Sequence, residues 1–253
     1  AEKPDGVIRV LWENFNSIKL FTEKNRERIA KIEAMRKKYN ADIVGGCELQ
    51  VDWSKTTEEF YDLFGMGEVR KGKAAWNKTE PNERCQPGGT SIMTFGRLSH
   101  YVASVTPDDT GLGRWVTLTL KNESKTVHVV MAYRPCYPGS IRRRGADKRG
   151  STVWEQHDRY FRTRGESRSP TEMFDVHLLQ MIKRWRKEED EVILMGDFND
   201  NVYTSALATT LGGDDYLLTE QYSKLYGEDA PFSHISGQVP ISAVFATPGV
   251  DCG

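Results

Sequence analysis

Asn14, Glu48, Tyr133, Asp197 and Asn199 each fall at the end of a stretch that reads as a β-strand. The plainest case is EVILMGDFNDNVY, where the apolar run Val192 to Met195 stops on Gly196-Asp197-Phe198-Asn199-Asp200-Asn201. A tight turn also selects Gly, Asn and Asp, so one such terminus means little. Several mean more, because loops at strand ends can meet at one point while the sheet holds them rigid. Glu48 and Asp197 offer hard oxygen donors suited to Mg²⁺ or Mn²⁺, ions that take few protein carboxylates and keep positions for water and phosphate. The amides of Asn14 and Asn199 can orient a carboxylate, a water or a phosphate oxygen. Such a set can stabilise the charge that grows during phosphodiester hydrolysis while a carboxylate orients the attacking water. Each residue also has an ordinary reading: Glu48 as a surface acid, Asn14 and Asn16 as turn formers, Tyr133 as a core aromatic with a satisfied hydroxyl.

The elements that must position these groups alternate between strand and helix, in the manner of an α/β sandwich. GVIRVLWEN predicts a strand running into Asn14, and ADIVGGCELQ a second strand ending at Glu48. Between them, KNRERIAKIEAMRKKYN sets Ile29, Ile32 and Met35 among charges, an amphipathic helix. GGTSIMTFG, HYVASVT, GRWVTLTLK and TVHVVMAYRP predict further strands, RWVTLTL with the alternation of a half-buried antiparallel one. PGGTSIMTFG reads as a hairpin edge whose Gly88 and Gly89 permit the turn. STVWEQHDRYFRTRG predicts a helix capped by Ser151 or Thr152 and ended by Gly165. PTEMFDVHLLQMIKRWRKEE predicts another, starting at Pro170 with Glu172 in its first turn. No repeat or low-complexity tract interrupts the pattern.

Composition bounds the rest. The 253 residues show no dividing linker and are expected to form one domain, 1–253. A net charge of −1 gives no overall attraction to nucleic acid, so any such attraction must come from a local patch. Cys47, Cys85, Cys136 and Cys252 lie far apart without CxxC spacing, against a zinc site or a disulfide framework and in favour of a reduced, intracellular compartment. No run approaches the ~20 apolar residues of a membrane span, so a soluble chain without a membrane partner is expected.

WENFNSI, ADIVGGCEL, AYRP and ILMGDFN, in this order and at these distances, resemble the ordered motifs of the endonuclease/exonuclease/phosphatase superfamily, the deoxyribonuclease I-like fold. Its apurinic and LINE-type retrotransposon endonucleases are the branch most similar. The resemblance covers nearly the whole chain. It implies a four-layer α/β sandwich of two packed mixed sheets with helices outside. It also implies an Mg²⁺- or Mn²⁺-dependent hydrolase, nuclear if it comes from a eukaryotic retroelement. In that scheme Glu48 binds the metal, with Asn14 beside it as an orienting amide, and Tyr133 sits against the scissile phosphate. Asp197 orients or deprotonates the attacking water, and Asn199 holds that water or a phosphate oxygen. Cys47 stands where a Gln often precedes the metal-binding Glu, and Ser17 where a Gly often follows the first Asn pair.

The C-terminal segment departs further. PISAVFATPGVDCG places Ser242 where the resemblance implies Asp in a strand like IDxIF, and the terminal Ser-Asp-His-like triplet is absent. The final strand of the second sheet is expected to be missing as well. Losing a positioned acid/base or charge-stabilising group typically costs about 10²–10⁴-fold in rate, so reduced activity is expected. His234 is the nearest substitute by position, against an ordinary reading as a solvated loop histidine; His100, His128, His157 and His177 sit in structural contexts. After Tyr133 comes an Arg-rich stretch including Arg142, Arg143 and Arg144, interleaved with Tyr137, Trp154, Tyr160 and Phe161. Such charge blocks are usually solvated loop. Beside a phosphate-cleaving site they suit a nucleic-acid surface, which favours DNA as partner. Three functions follow: a metal-dependent DNA endonuclease of retroelement or repair type, a phosphodiesterase or phosphatase on a small or lipid phosphoester, or a non-catalytic nucleic-acid-binding domain.

Overall fold

A computed structural model describes residues 3–18, 23–55, 69–80, 86–137, 152–232 and 237–252. Its ten strands form two sheets. The first contains, in spatial order, β1 (Val10–Asn14), β2 (Ile43–Cys47), β4 (Thr90–Phe95) and β3 (Val69–Ala75). The second runs β5 (Val102–Pro107), β6 (Trp115–Lys121), β7 (Thr126–Tyr133), β8 (Glu191–Asp197), β10 (Ser242–Ala246) and β9 (Thr219–Glu220). β1 with β2 and β7 with β8 are parallel pairs; the other ladders are antiparallel.

Side chains alternate across a strand, and here the alternation sorts apolar residues into layers. Ile43, Ile92, Val116, Leu118, Val129, Met131 and Met195 meet between the sheets. Val44 and Met93 point the other way, beneath α1 (Glu23–Tyr39) with Ile32. Val130, Ala132, Val192 and Leu194 point away from the first sheet onto Phe174, Leu178, Ile182 and Trp185 of α3 (Pro170–Lys187). This is the four-layer sandwich that the motifs imply. Gly45 is required at the inter-sheet contact, since a Cβ there would stand 2.7 Å from the Ser91 carbonyl oxygen and 2.8 Å from Met131.

Helix ends follow local chemistry. Ser169 and Glu172 form a reciprocal capping box at the start of α3, with Pro170 as its first residue. Thr152 and Glu155 do the same for α2 (Val153–Arg162). Gly165, at φ +77°, closes the turn after α2. The shorter α4 (Ala206–Leu211) and α5 (Gln221–Tyr226) follow β8.

Three expectations need correction. β4 is interior, bonded to β2 and β3, and is not a hairpin edge. β6 is buried on both faces rather than half-buried, because α3 covers the side on which Thr117 lies. Met35 is exposed; one residue on, Arg36 takes the core-facing position and lays its guanidinium 4.4 Å from the centre of the Phe95 ring. In the second sheet β10 is hydrogen-bonded on both sides, to β8 and to β9.

Candidate active site

Parity brings the candidate residues together. Asn14 lies on the face of β1 that carries Val10 and Trp12 against the inter-sheet core, and Cys47 shares the face of Ile43. In the second sheet Tyr133 shares the face of Met131, Asp197 that of Met195 and Ser242 that of Val244. Register aligns them: Asn14 is the Cα partner of Cys47, and Asp197 is the partner of both Tyr133 and Ser242. The polar strand ends therefore converge where the two sheets meet.

The contacts cross that junction. The Asn14 Nδ2 donates to Asp197 Oδ2 at 2.9 Å, while its Oδ1 accepts from the Asn16 amide at 2.9 Å. Asn14 thus orients Asp197. Asp197 Oδ1 accepts from the Asn199 backbone N–H at 3.0 Å. Burial, followed by the charges of nearby Glu48 and Asp197, holds the pKa of the Tyr133 hydroxyl well above the usual phenol range. Burial first, then Asp197 and Glu48, likewise raises the Cys47 thiol, which keeps it protonated and a poor metal ligand.

The backbone around these groups is unusual. Asn16, Ser17, Glu48, Gln50 and Asn199 all have positive φ, between 39° and 77°. Non-glycine residues in this region persist when their surroundings over-determine them. Here Phe15 donates to Cys47 O at 2.9 Å, Ser17 to Glu48 O at 2.8 Å, Ile18 to Leu49 O at 2.8 Å and Gln50 to Gly88 O at 2.8 Å. The loops after β1 and β2 are thereby stitched together, and Glu48 is aimed by backbone geometry rather than by packing.

Arg134 is a functional candidate that sequence reading missed. Its guanidinium grips Asp175 of α3 through two 2.8 Å bonds and reaches Asp200 at 3.2 Å. Its backbone N–H donates to Asp197 O at 2.9 Å, and its carbonyl accepts from Asn199 Nδ2 at 2.7 Å. Arg134 therefore fixes the loop carrying Asp197 and Asn199 to the helix behind it. The available signal was AYRP, in which an Arg directly follows the last residue of a buried strand.

Behind the site lies a second charged cluster. The fully buried Arg114 meets Asp108 through Nε at 2.6 Å and an η nitrogen at 2.8 Å, reaches Met173 O at 3.3 Å and touches His177 Nδ1 at 3.0 Å. Its carbonyl accepts from Tyr133 N at 2.8 Å. Neighbouring His157 is buried and its pKa is pushed down to about 3, by burial first and then by the Arg114 charge.

Arg142, Arg143, Arg144, His234 and Cys85 lie outside the described residues. Cys47, Cys136 and Cys252 are free thiols. No described helix is long and apolar enough to cross a membrane. Among the described residues no group of three or more His, Cys, Asp or Glu is arranged to hold a metal. The donors at the site fit Mg²⁺ or Mn²⁺ nonetheless. They are carboxylate oxygens with one protonated thiol, and such ions bind through one or two carboxylates completed by water and phosphate.

No family profile matches the sequence, and no curated protein matches it. Solved structures do. The human Nocturnin catalytic domain with bound sulfate anion is 15% identical with a TM-score of 0.59, over 95% of this chain and 83% of that one. The 3' phosphatase NExo from Neisseria, bound to product DNA hairpin, is 13% identical with a TM-score of 0.59, over 96% and 88%. An AP endonuclease from Archaeoglobus fulgidus is 13% identical with a TM-score of 0.56, over 96% and 88%. At such identities the likeness is one of fold: the chain shares with these structures the deoxyribonuclease I-like fold that its motifs implied.

Proposed function

We propose that this chain is a divalent-metal-dependent phosphodiester hydrolase acting on DNA, an endonuclease of retroelement or repair type. The observation that carries the reading is the convergence of Asn14, Glu48, Tyr133 and Asp197 at one end of the two sheets, with Asn14 donating to Asp197 across the gap at 2.9 Å. The names of the similar structures support it, since NExo is bound to a DNA hairpin and another neighbour is an AP endonuclease.

Glu48 would hold Mg²⁺ or Mn²⁺, and the bound ion would neutralise charge growing on the phosphate. The chain's own groups do the rest. Asn14 and the Asn199 N–H hold the Asp197 carboxylate in one orientation, from which it can align a water and accept its proton. Tyr133 keeps its proton and serves as a donor to a phosphate oxygen when substrate is present. Asn199 is held by the Arg134 carbonyl through one amide N–H, which leaves its other amide groups for water or phosphate.

Nicking of supercoiled plasmid at low salt tests this. Cleavage with Mg²⁺ or Mn²⁺ that is abolished by chelator, by Glu48→Ala and by Asp197→Ala is the expected result. Equal cleavage by the Glu48→Ala/Asp197→Ala double variant would overturn it. One observation favours a non-catalytic nucleic-acid-binding domain instead: Ser242, not Asp, pairs with Asp197. That reading requires salt-sensitive DNA binding without cleavage, retained in both alanine variants. Turnover of a small phosphoester, unaffected by neutralising Arg142, Arg143 and Arg144, would point to a small-molecule or lipid phosphodiesterase.

A further inference from the structure

Tyr137 is among the most exposed large side chains described, 67% accessible, four residues beyond Tyr133. A lone exposed ring is ordinary. This one is braced, because Trp154 in the first turn of α2 meets it edge to face, ring centres 5.0 Å apart and planes 75° apart. A near-perpendicular contact fixes a ring while leaving one of its faces open to solvent.

The brace is anchored beside the candidate site. A Cβ placed on Gly88 would lie 3.1 Å from Val153 and 3.7 Å from the Tyr133 ring, so the residue before Trp154 and the candidate phosphate-facing tyrosine flank the same point. On the other side, the charges of Asp197 and Glu48 reach the thiol of Cys136, the residue before Tyr137. The capping box at Thr152 holds the start of α2, and with it Trp154, in place.

We propose that Tyr137, braced by Trp154, is a stacking platform for a nucleobase next to the phosphodiester bound at the Asp197 end. The inference rests on the hydrolase reading above and narrows it: an inositol or glycerolipid headgroup has no aromatic face to stack, whereas every base does. Tyr137 is then a specificity-determining residue and Trp154 a positioning one.

Fluorescence anisotropy in chelator, where no cleavage can occur, compares a single strand of about eight thymidines with an equally long strand of abasic tetrahydrofuran units. The full chain should bind the base-bearing strand more tightly. Tyr137→Ala should weaken binding of that strand by about 5- to 150-fold, as loss of one stacked base does, with Tyr137→Phe restoring it. Binding of the abasic strand should stay the same throughout. A Tyr137→Ala variant that binds both strands like the parent, or weakens both equally, would overturn the platform. The hydrolase reading is scored separately, by Mg²⁺-dependent cleavage of either strand by the unmodified chain. A base preference without any cleavage would sink that reading and leave the platform standing.

Discussion

Two clusters, linked where the Tyr133 N–H donates to the Arg114 carbonyl, treat charge in opposite ways. Around Arg114 the charge is cancelled: Asp108 faces it through paired bonds, a carbonyl and an imidazole take further contacts, and the Trp115 ring lies 4.3 Å away. At the Asp197 end the named donors, the Asn14 amide and the Asn199 N–H, are neutral, and Glu48 makes no ion pair among the described residues. The first cluster is complete as a structural unit, whereas the second, on the hydrolase reading we propose, would receive a cation and a phosphate. The backbone agrees, since left-handed non-glycine residues gather at the second cluster and are not found at Asp108 or Arg114.

Removing charge should separate the two clusters most sharply. At the Asp197 end, Asp197→Asn or Glu48→Gln should lower plasmid nicking by about 10²–10⁴-fold while leaving the unfolding midpoint in urea close to the parent's. At the structural cluster, Arg114→Met should destabilise by about 3–5 kcal/mol by stranding Asp108, whereas Arg114→Met with Asp108→Leu should recover most of that loss. Comparable stability losses at both ends would erase the distinction.

Acid should act through the structural cluster. Folded His157 titrates near 3, whereas an unfolded imidazole titrates near ~6.5. Between those values the unfolded chain binds the extra proton, so the stability present above about pH 6.5 is lost progressively as pH falls towards 3. On the order of 4–5 kcal/mol is involved. Urea unfolding from pH 7 to pH 4 should show this slope, flattened in His157→Gln.

Arg134 links the two regions, and its effect should be intermediate. Arg134→Lys keeps the charge but loses the two-pronged grip on Asp175, so turnover should fall about 10-fold with less than about 2 kcal/mol of destabilisation. Full activity would remove Arg134 as a positioning residue. Smallest of all, Ser242→Asp sets a second carboxylate directly across from Asp197, which should destabilise the metal-free chain by up to about 1 kcal/mol through like-charge pairing. Calorimetry with and without Mn²⁺ would show that cost shrinking when the ion is bound.

Much of the frame was legible in the residues. Strand-terminal Asn14, Glu48, Tyr133 and Asp197 could be placed because apolar runs end abruptly on them, and both capping boxes are local four-residue signals. What escaped is non-local or off-pattern. β3, VRKGKAA, alternates Lys with Gly and Ala and lacks an apolar period, so only its pairing with β4 marks it as a strand. Arg36 stands in for Met35 because its aliphatic stem and cation can cover Phe95, which hydropathy cannot foresee. The Arg134–Asp175 pair joins residues 41 apart, and nothing local to either predicts the other.

The most direct test of the central claim is Mn²⁺ binding to the full chain, followed by electron paramagnetic resonance, beside Glu48→Gln and Arg114→Met. The site described here predicts one Mn²⁺ bound by the parent and by folded Arg114→Met, and lost in Glu48→Gln. Undiminished Mn²⁺ binding in Glu48→Gln would contradict it.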